Sequence, residues 1–225
     1  MTRILDIFFS GLALAVLAPI LIIVAFVLRF TGEGEVLYLQ ERVGRGGEPF
    51  KLWKFATMLK NSPNLGTGSF TVKDDPRVLP IGRFLRKTKI NELPQLVNIF
   101  KGDMSVVGPR PQTRRCFDAF PAPLRDIIVG MRPGLSGIGP IVFRGEEDML
   151  TGERGTVEFF EQVLSPYKAE VEAWYTSHQS LRNYFLIIVV TAWVVLIPTS
   201  DIVWRVFHGL PKPPEGLRSV LNYPG

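Results

Sequence analysis

Residues 4–28 read ILDIFFSGLALAVLAPILIIVAFVL, with Asp6 the only ionisable side chain and Arg3 and Arg29 standing just outside. At about 1.5 Å per helical residue this run reaches past a hydrocarbon layer of roughly 30 Å, so it must first be placed relative to a membrane. A cleaved signal peptide is disfavoured, because the run is too long and no small-x-small site followed by a polar start is evident. A straight spanning helix is the default. Against it stands Pro19 near the middle, which removes a backbone hydrogen bond and kinks a helix. Basic residues also flank both ends, with Arg3 before the run and Arg29, Arg42 and Arg45 after it. By the positive-inside rule both ends then prefer the cytoplasm, which a re-entrant helix broken at Pro19 satisfies. The residues leave the two forms open.

A second apolar stretch, residues 184–199 (YFLIIVVTAWVVLIPT), is closed by Pro198. As a helix it spans roughly 24 Å, short of a full crossing, so it reads as buried in the core or lying in the interface. The following DIVWRVFHGL suits a headgroup boundary, and the Pro-rich tail, residues 211–225, reads as loosely ordered. Between the apolar ends there is no internal repeat or low-complexity linker. The expected organisation is therefore a membrane segment (1–31), one compact domain (32–210) and the tail. The expected class is α/β, mainly helical with a small sheet.

One cysteine, Cys116, and two histidines, His178 and His208, rule out a disulfide framework and make a zinc site untenable. A site must be built from oxygen ligands, Arg and Lys. Residues 73–115 carry ten Lys/Arg against four Asp/Glu and form the basic pole of a chain of net charge +5. Such a patch serves nucleic acid, an anionic membrane surface or a phosphorylated small molecule, or is simply a solvated face. No helix-turn-helix pattern, aromatic RNA-binding strand or finger spacing accompanies it, so nucleic acid is set aside.

Within the middle, VLYLQERVG and PFKLWKFATM predict two strands joined by a turn at residues 44–47, with Phe50, Leu52, Trp53 and Phe55 on the apolar side. Residues 61–75 read as a loop, and VLPIGRFLRK as a turn and short helix grouping Arg83, Arg86 and Lys87. In NELPQLVNIFKGDMSVVGPRP, the residues Leu93, Leu96, Val97 and Phe100 recur at helical spacing, Asn91 reads as the N-cap and Gly102 as the stop. Glu92 then falls at the positive end of a helix, where a carboxylate, a helix N-terminus and upstream Arg/Lys can hold a magnesium diphosphate; ordinary capping is the competing reading. Pro109, Arg110 and Pro111 form a rigid turn presenting one Arg to a phosphate or a uracil, or merely to solvent. RPGLSG (132–137) places another Gly/Pro turn beside an Arg. In RGEEDM, Glu146, Glu147 and Asp148 are either a second metal site or a solvated loop.

Taken together, several motifs resemble the monotopic polyprenyl-phosphate hexose-1-phosphate transferases, the bacterial sugar transferases that initiate O-antigen, capsule and exopolysaccharide assembly. They are Arg3 and Asp6 opening an apolar segment with a central Pro19; Gln40, Arg42 and Gly44; KLWKFATM; GRFLRKTKINELPQLVNIFKGDMSVVGPRP; and PGLSG, all in the family order from Arg3 to about Val195. The resemblance implies a re-entrant membrane helix, a small domain at the cytoplasmic face of the bacterial inner membrane, Mg²⁺, a UDP-sugar donor and undecaprenyl phosphate as acceptor, with a homodimer possible. By position it implies that Glu92 binds Mg²⁺, that Arg110 with its flanking prolines holds the nucleotide-sugar, that Arg83, Arg86 and Lys87 face phosphates, and that Arg3 and Asp6 sit near the lipid-phosphate entry.

In two places the chain departs from that pattern. Asn91 stands where the family has its nucleophilic Asp, and Ala56 where an Arg usually follows Lys-Phe. A neutral amide does not attack phosphorus as a carboxylate does. Three readings follow: a transferase in which Glu92 attacks, or in which the lipid phosphate attacks directly while Asn91 orients a phosphate oxygen; a transferase for a different donor; or a non-catalytic relative that binds UDP-sugar or polyprenyl phosphate and scaffolds or regulates a pathway.

Overall fold

A computed structural model of the chain describes residues 2–65, 75–146 and 157–224. The first helix, α1 (Thr2–Arg29), is the one helix among the described residues long and apolar enough to cross a membrane. It runs unbroken through Pro19, which corrects the expected break. A proline deletes one backbone hydrogen bond, and the intact turns on either side keep the segment helical. One face of α1 is open and apolar, including Ile4, Phe8, Val16 and Ile23. The other face lies along the rest of the protein for its whole length. Leu5 and Phe9 meet the largest core cluster, Leu14 and Leu17 cover Leu52, Leu96, Ile99 and Met104, and Leu28 packs with Phe55 and Leu85.

Polar bonds fix the N-terminal end. Asp6, 2% exposed, accepts from Ser105 Oγ (2.9 Å), the Val106 N–H (2.9 Å) and Tyr184 Oη (3.0 Å). Arg3 donates to the carbonyls of Ile99 (2.6 Å) and Phe100 (2.8 Å) at the C-terminal end of the helix Gln95–Lys101, where cations suit the helix dipole.

Strands β1 (Leu37–Val43) and β2 (Pro49–Phe55) form the expected antiparallel hairpin, in register Tyr38↔Lys54, Gln40↔Leu52 and Arg42↔Phe50. Its turn places Gly46 and Gly47 at φ 74° and 83°, where a side chain would strain the backbone. After α2 (Pro80–Lys87) the chain makes a 3₁₀ turn, Ile90–Glu92, and only then α3 (Gln95–Lys101). Asn91 therefore caps no helix. Pro94 has no N–H to return to Ile90, so the first turn tightens and Leu93 bonds to the Ile90 carbonyl instead (3.1 Å). Gly102, at φ 105°, ends α3 as expected. Phe100, expected on the core face, is half exposed, whereas Ile99 is fully buried.

The second small sheet is a parallel pair, β3 (Ser105–Val107) and β4 (Gly134–Ser136). It continues into backbone-on-backbone packing: a Cβ on Gly108 would come within 2.4 Å of the Arg132 carbonyl, and one on Gly134 within 2.1 Å of the Gly108 nitrogen. These contacts give a physical reason for the glycines in GPRP and PGLSG. Short helices α4 (Arg114–Asp118), α5 (Ala122–Ile128) and α6 (Ile138–Val142) follow. A π-helical segment, Phe160–Leu164, then leads into α7 (Ser165–Ser177).

Helix α8 (Leu181–Leu196) buries Tyr184, Ile187, Val190 and Val194 while leaving Phe185, Val189, Trp193 and Leu196 open, so it is core-packed on one stripe and apolar outside on the other. The tail is not loose. With α9 (Ile202–Val206) and α10 (Glu215–Arg218) it buries Leu210, Leu217 and Leu221, and the Trp204 indole donates to the Leu221 carbonyl at 3.0 Å. Three leucines give this segment enough apolar surface to dock.

Replacing Asp6 by Ala strands three buried donors, and at about 1–3 kcal/mol each the loss is expected to be at least about 3 kcal/mol. Tyr184→Phe, which removes one donor, is expected to cost about 1 kcal/mol. Thermal unfolding of the detergent-solubilised protein checks both; equal melting temperatures for Asp6→Ala and native protein would contradict the anchoring role.

Candidate active site

Three segments of backbone assemble one charged cluster. By cross-strand pairing, Gln40, Arg42 and Lys54 share one face of the hairpin. Asn98, fully buried on α3, fixes β2 against α3, accepting the Trp53 N–H (2.9 Å) and donating to the Lys51 carbonyl (2.8 Å). The 3₁₀ turn ahead of α3 thus presents Asn91 and Glu92 beside the end of β2. The 108–111 turn, wedged on residues 132–134, brings Arg110 in from the other side.

There Arg110 Nη2 meets Glu92 Oε1 at 3.3 Å. Arg42 donates to Gln40 Oε1 through Nε (3.2 Å) and to the Pro111 carbonyl through Nη1 (3.1 Å), tying the hairpin to the turn. Burial alone would raise the Glu92 carboxyl; the charges of Arg110, Lys54 and Lys89 overcome it and hold the group down at about 2. Burial, with Arg110 close by, lowers Arg42 to about 10. Lys54 goes further: burial pushes its ammonium down to about 7, aided by Arg42, Arg110 and Arg86 and opposed by Glu92. Among the described residues the cluster holds Arg42, Lys54 and Arg110 around the Glu92 carboxylate, with Glu146 and Glu172 also acting on Arg110.

Of the residues singled out in the sequence, the structure brings together Glu92, Asn91, Arg110, Pro109 and Pro111, with Arg86 in electrostatic reach through Lys54. Arg83 and Lys87 lie exposed on α2. Arg3 and Asp6 are engaged on the carbonyls of Ile99 and Phe100 and on Ser105, Val106 and Tyr184, in the anchor described above. Glu146 pairs with the buried Lys168 at 2.7 Å, and Glu147 and Asp148 lie outside the described residues. Arg132 donates to the Gly102 carbonyl at 3.1 Å, so it braces the end of α3. Asn91 is 6% exposed and its Oδ1 has no donor.

Lys54 and Glu172 were not picked out from sequence. Strand alternation places Lys54 on the face of Arg42 once the hairpin register is known, so that signal was present. Glu172, on α7 and 1% exposed, accepts the Arg110 N–H at 2.9 Å from a distant part of the chain, and no local pattern reveals it.

Among the described residues no three His, Cys, Asp or Glu side chains group to hold a metal. The donor set here, one carboxylate and one orphaned carboxamide oxygen, fits Mg²⁺ only where phosphates and waters complete its shell, which is the usual manner of that ion.

The family model described as bacterial sugar transferase matches residues 1–198. Among curated proteins, the chain is 37% identical over 143 residues to the UDP-N-acetylgalactosamine-undecaprenyl-phosphate N-acetylgalactosaminephosphotransferase of Aeromonas hydrophila, covering 61% of this chain and 33% of that protein. It is 35% identical over 176 residues to the UDP-glucose:undecaprenyl-phosphate glucose-1-phosphate transferase of Caulobacter vibrioides, covering 76% and 62%. To the exopolysaccharide production protein ExoY of Sinorhizobium fredii it is 33% identical over 163 residues, covering 66% and 72%. The chain spans between a third and three quarters of the length of these relatives.

Because the Lys54 ammonium titrates below its unfolded value of 10.5, the unfolded chain binds more protons between about pH 7 and 10.5, and that term makes stability rise with pH across the window. Lys54→Met is expected to raise the melting temperature at pH 7 and to remove that part of the rise. Melting curves from pH 6.5 to 9.5 test it; an unchanged slope would show that Lys54 is not desolvated.

Proposed function

Since the chain belongs to the bacterial sugar transferase family, we propose that it moves a sugar 1-phosphate from a UDP-sugar to undecaprenyl phosphate, with release of UMP. In this reading it does so at the cytoplasmic face of a bacterial inner membrane and begins a surface glycan. The observation that carries this reading is the charge imbalance of the site. Among the described residues, Arg42, Lys54 and Arg110 surround the carboxylate of Glu92, Glu146 and Glu172 act on Arg110 alone, and burial depresses Arg42 and Lys54. A diphosphate supplies the missing negative charge, and a planar guanidinium on a proline-flanked turn binds it with little entropy to lose.

In the proposed mechanism Arg110 and Lys54 hold the donor's diphosphate. Glu92, with Asn91 Oδ1 beside it, would hold Mg²⁺, which when bound neutralises phosphate charge. Asn91 offers no nucleophilic charge, and Glu92, engaged by Arg110 and held at about 2, is a weak nucleophile. An oxygen of undecaprenyl phosphate therefore attacks the sugar-bearing phosphorus directly; the new P–O bond joins lipid phosphate to sugar phosphate, and the P–O bond to UMP breaks. Lys54, protonated once the diphosphate is bound, neutralises the departing UMP.

The membrane placement rests on α1. This helix lies along one domain from Arg3 and Asp6 at one end to Leu28 at the other, which supports both ends lying on the same side of the bilayer. Labelling a cysteine placed at Thr2 in a Cys116→Ala background is expected to fail with a membrane-impermeant reagent in intact cells; periplasmic reactivity there would exclude this topology.

The activity is tested by UMP release from detergent-purified protein given undecaprenyl phosphate, Mg²⁺ and either UDP-glucose or UDP-N-acetylgalactosamine. Native protein is expected to release UMP without a phosphosugar adduct on the protein, and Glu92→Gln to lower the rate by roughly 100-fold or more. An adduct that disappears in Glu92→Gln would make Glu92 the nucleophile. Release gained only on Asn91→Asp would mark a binding protein that has lost catalysis.

A further inference from the structure

The 108–111 turn restrains the backbone around Arg110. Pro109 and Pro111 fix their own φ angles, and Gly108 is pressed against residues 132–134. The Pro109–Arg110 peptide is then held on both sides: the Gly134 N–H donates to the Pro109 carbonyl at 2.7 Å, and a buried acid accepts the Arg110 N–H. Glu172 Oε1 accepts the Arg110 N–H at 2.9 Å, and the Gly139 backbone lies against the same carboxyl. Helix α6 has glycine at that point because a Cβ on Gly139 would come within 2.0 Å of Glu172 Oε1.

The other carboxylate oxygen, Oε2, is buried without a donor, and Gln112 Nε2 is buried without an acceptor. Both residues line one cavity behind Pro109 and Arg110, walled on its apolar side by Val43, Phe117 and Phe120. The cavity measures about 20 Å³. One water needs roughly 10–15 Å³ and two or more polar partners. That is too small for a nucleobase or sugar, and it suits a single bridging molecule.

We propose that Glu172 is a positioning residue: through the Arg110 backbone, and with one water linking its Oε2 to Gln112 Nε2, it aims the Arg110 guanidinium at Glu92 and at the donor's diphosphate. The role of the turn in donor binding rests on the transferase reading; the geometry does not. A carboxyl group is suited to this task because one of its oxygens accepts the backbone N–H whether or not the group is ionised. Burial pushes this carboxyl up to about 7, against the pull of the Arg110 N–H, Lys168 and the Arg110 guanidinium.

The residues on either side of Arg110 are prolines, so residues 109–111 contain a single exchangeable backbone amide, which hydrogen exchange reads directly. In the detergent-purified full chain, Glu172→Leu is expected to speed exchange at Arg110 roughly tenfold or more, with protection in α3 unchanged. Glu172→Gln, which keeps an acceptor oxygen, restores most of the protection. Binding of UDP with Mg²⁺, followed by calorimetry, is expected to weaken roughly tenfold in Glu172→Leu and to weaken no further when Glu172→Leu is added to Arg110→Ala. Should Glu172→Leu fail to fold, Gln112→Leu serves, with an expected acceleration at Arg110 of about threefold and a matching loss of UDP affinity. Unchanged exchange at Arg110 in a folded variant, or losses that add to that of Arg110→Ala, would overturn the proposal. If the native protein binds no UDP, the transferase reading fails, and exchange at Arg110 alone decides the positioning role.

Discussion

An ionised carboxylate removed from water costs several kcal/mol unless donors surround it, and Asp6 sits in a helix that is otherwise almost entirely apolar. Its three donors come from Ser105, Val106 and Tyr184, so satisfying the charge draws α1, β3 and α8 together. Arg3, one turn away, grips the end of α3. Helix α3 in turn carries Asn98, which holds β2, and follows the turn that carries Asn91 and Glu92. A line of polar contacts thus runs from the membrane helix to the site, and the position of Lys54 relative to Glu92 depends on each of them.

At the far end of that line the electrostatics are deliberately unbalanced. Among the described residues, three partly desolvated cations gather at the Glu92 carboxylate, which leaves the unliganded protein less stable than a neutral packing would and makes an arriving anion favourable. Asn91 sharpens the imbalance. A carboxylate there would add a second negative charge beside Lys54 and Arg110, whereas the carboxamide leaves them to a ligand and leaves its own oxygen without a donor.

Much of this was legible in the residues. The hairpin around Gly44, the helix stopped by Gly102 and the stiff turn at Arg110 follow from local chemistry and took their expected form, and the apolar run is helical but without the expected break at Pro19. Misreadings arose where a non-local or sub-turn effect decided. Asn91 has the composition of a cap, yet Pro94 withholds the hydrogen bond that would start the helix there. Proline content suggested a loose tail, yet Leu210, Leu217 and Leu221 supply a docking surface that a composition count overlooks. Asp6 reads as a charge near a headgroup, and only the fold shows its three donors. Glu172 lies 62 residues from the backbone it holds, so no window along the sequence contains both.

The way α1 lies on the protein has a bearing on how the molecule is handled. Leu14, Leu17, Leu21 and Leu28 are the outer layer of two of the four core clusters, closing over Leu52, Leu96, Ile99, Met104, Phe55 and Leu85. The hydrophobic anchor is therefore also part of the interior. Trimming it away to obtain a water-soluble fragment would uncover those side chains and release the buried Ser105 and Tyr184 hydroxyls from their acceptor, yielding a sticky, loosened body instead of a smaller enzyme. For this architecture solubility has to come from lipid or detergent that covers the outer face of the helix, with the helix itself kept in place.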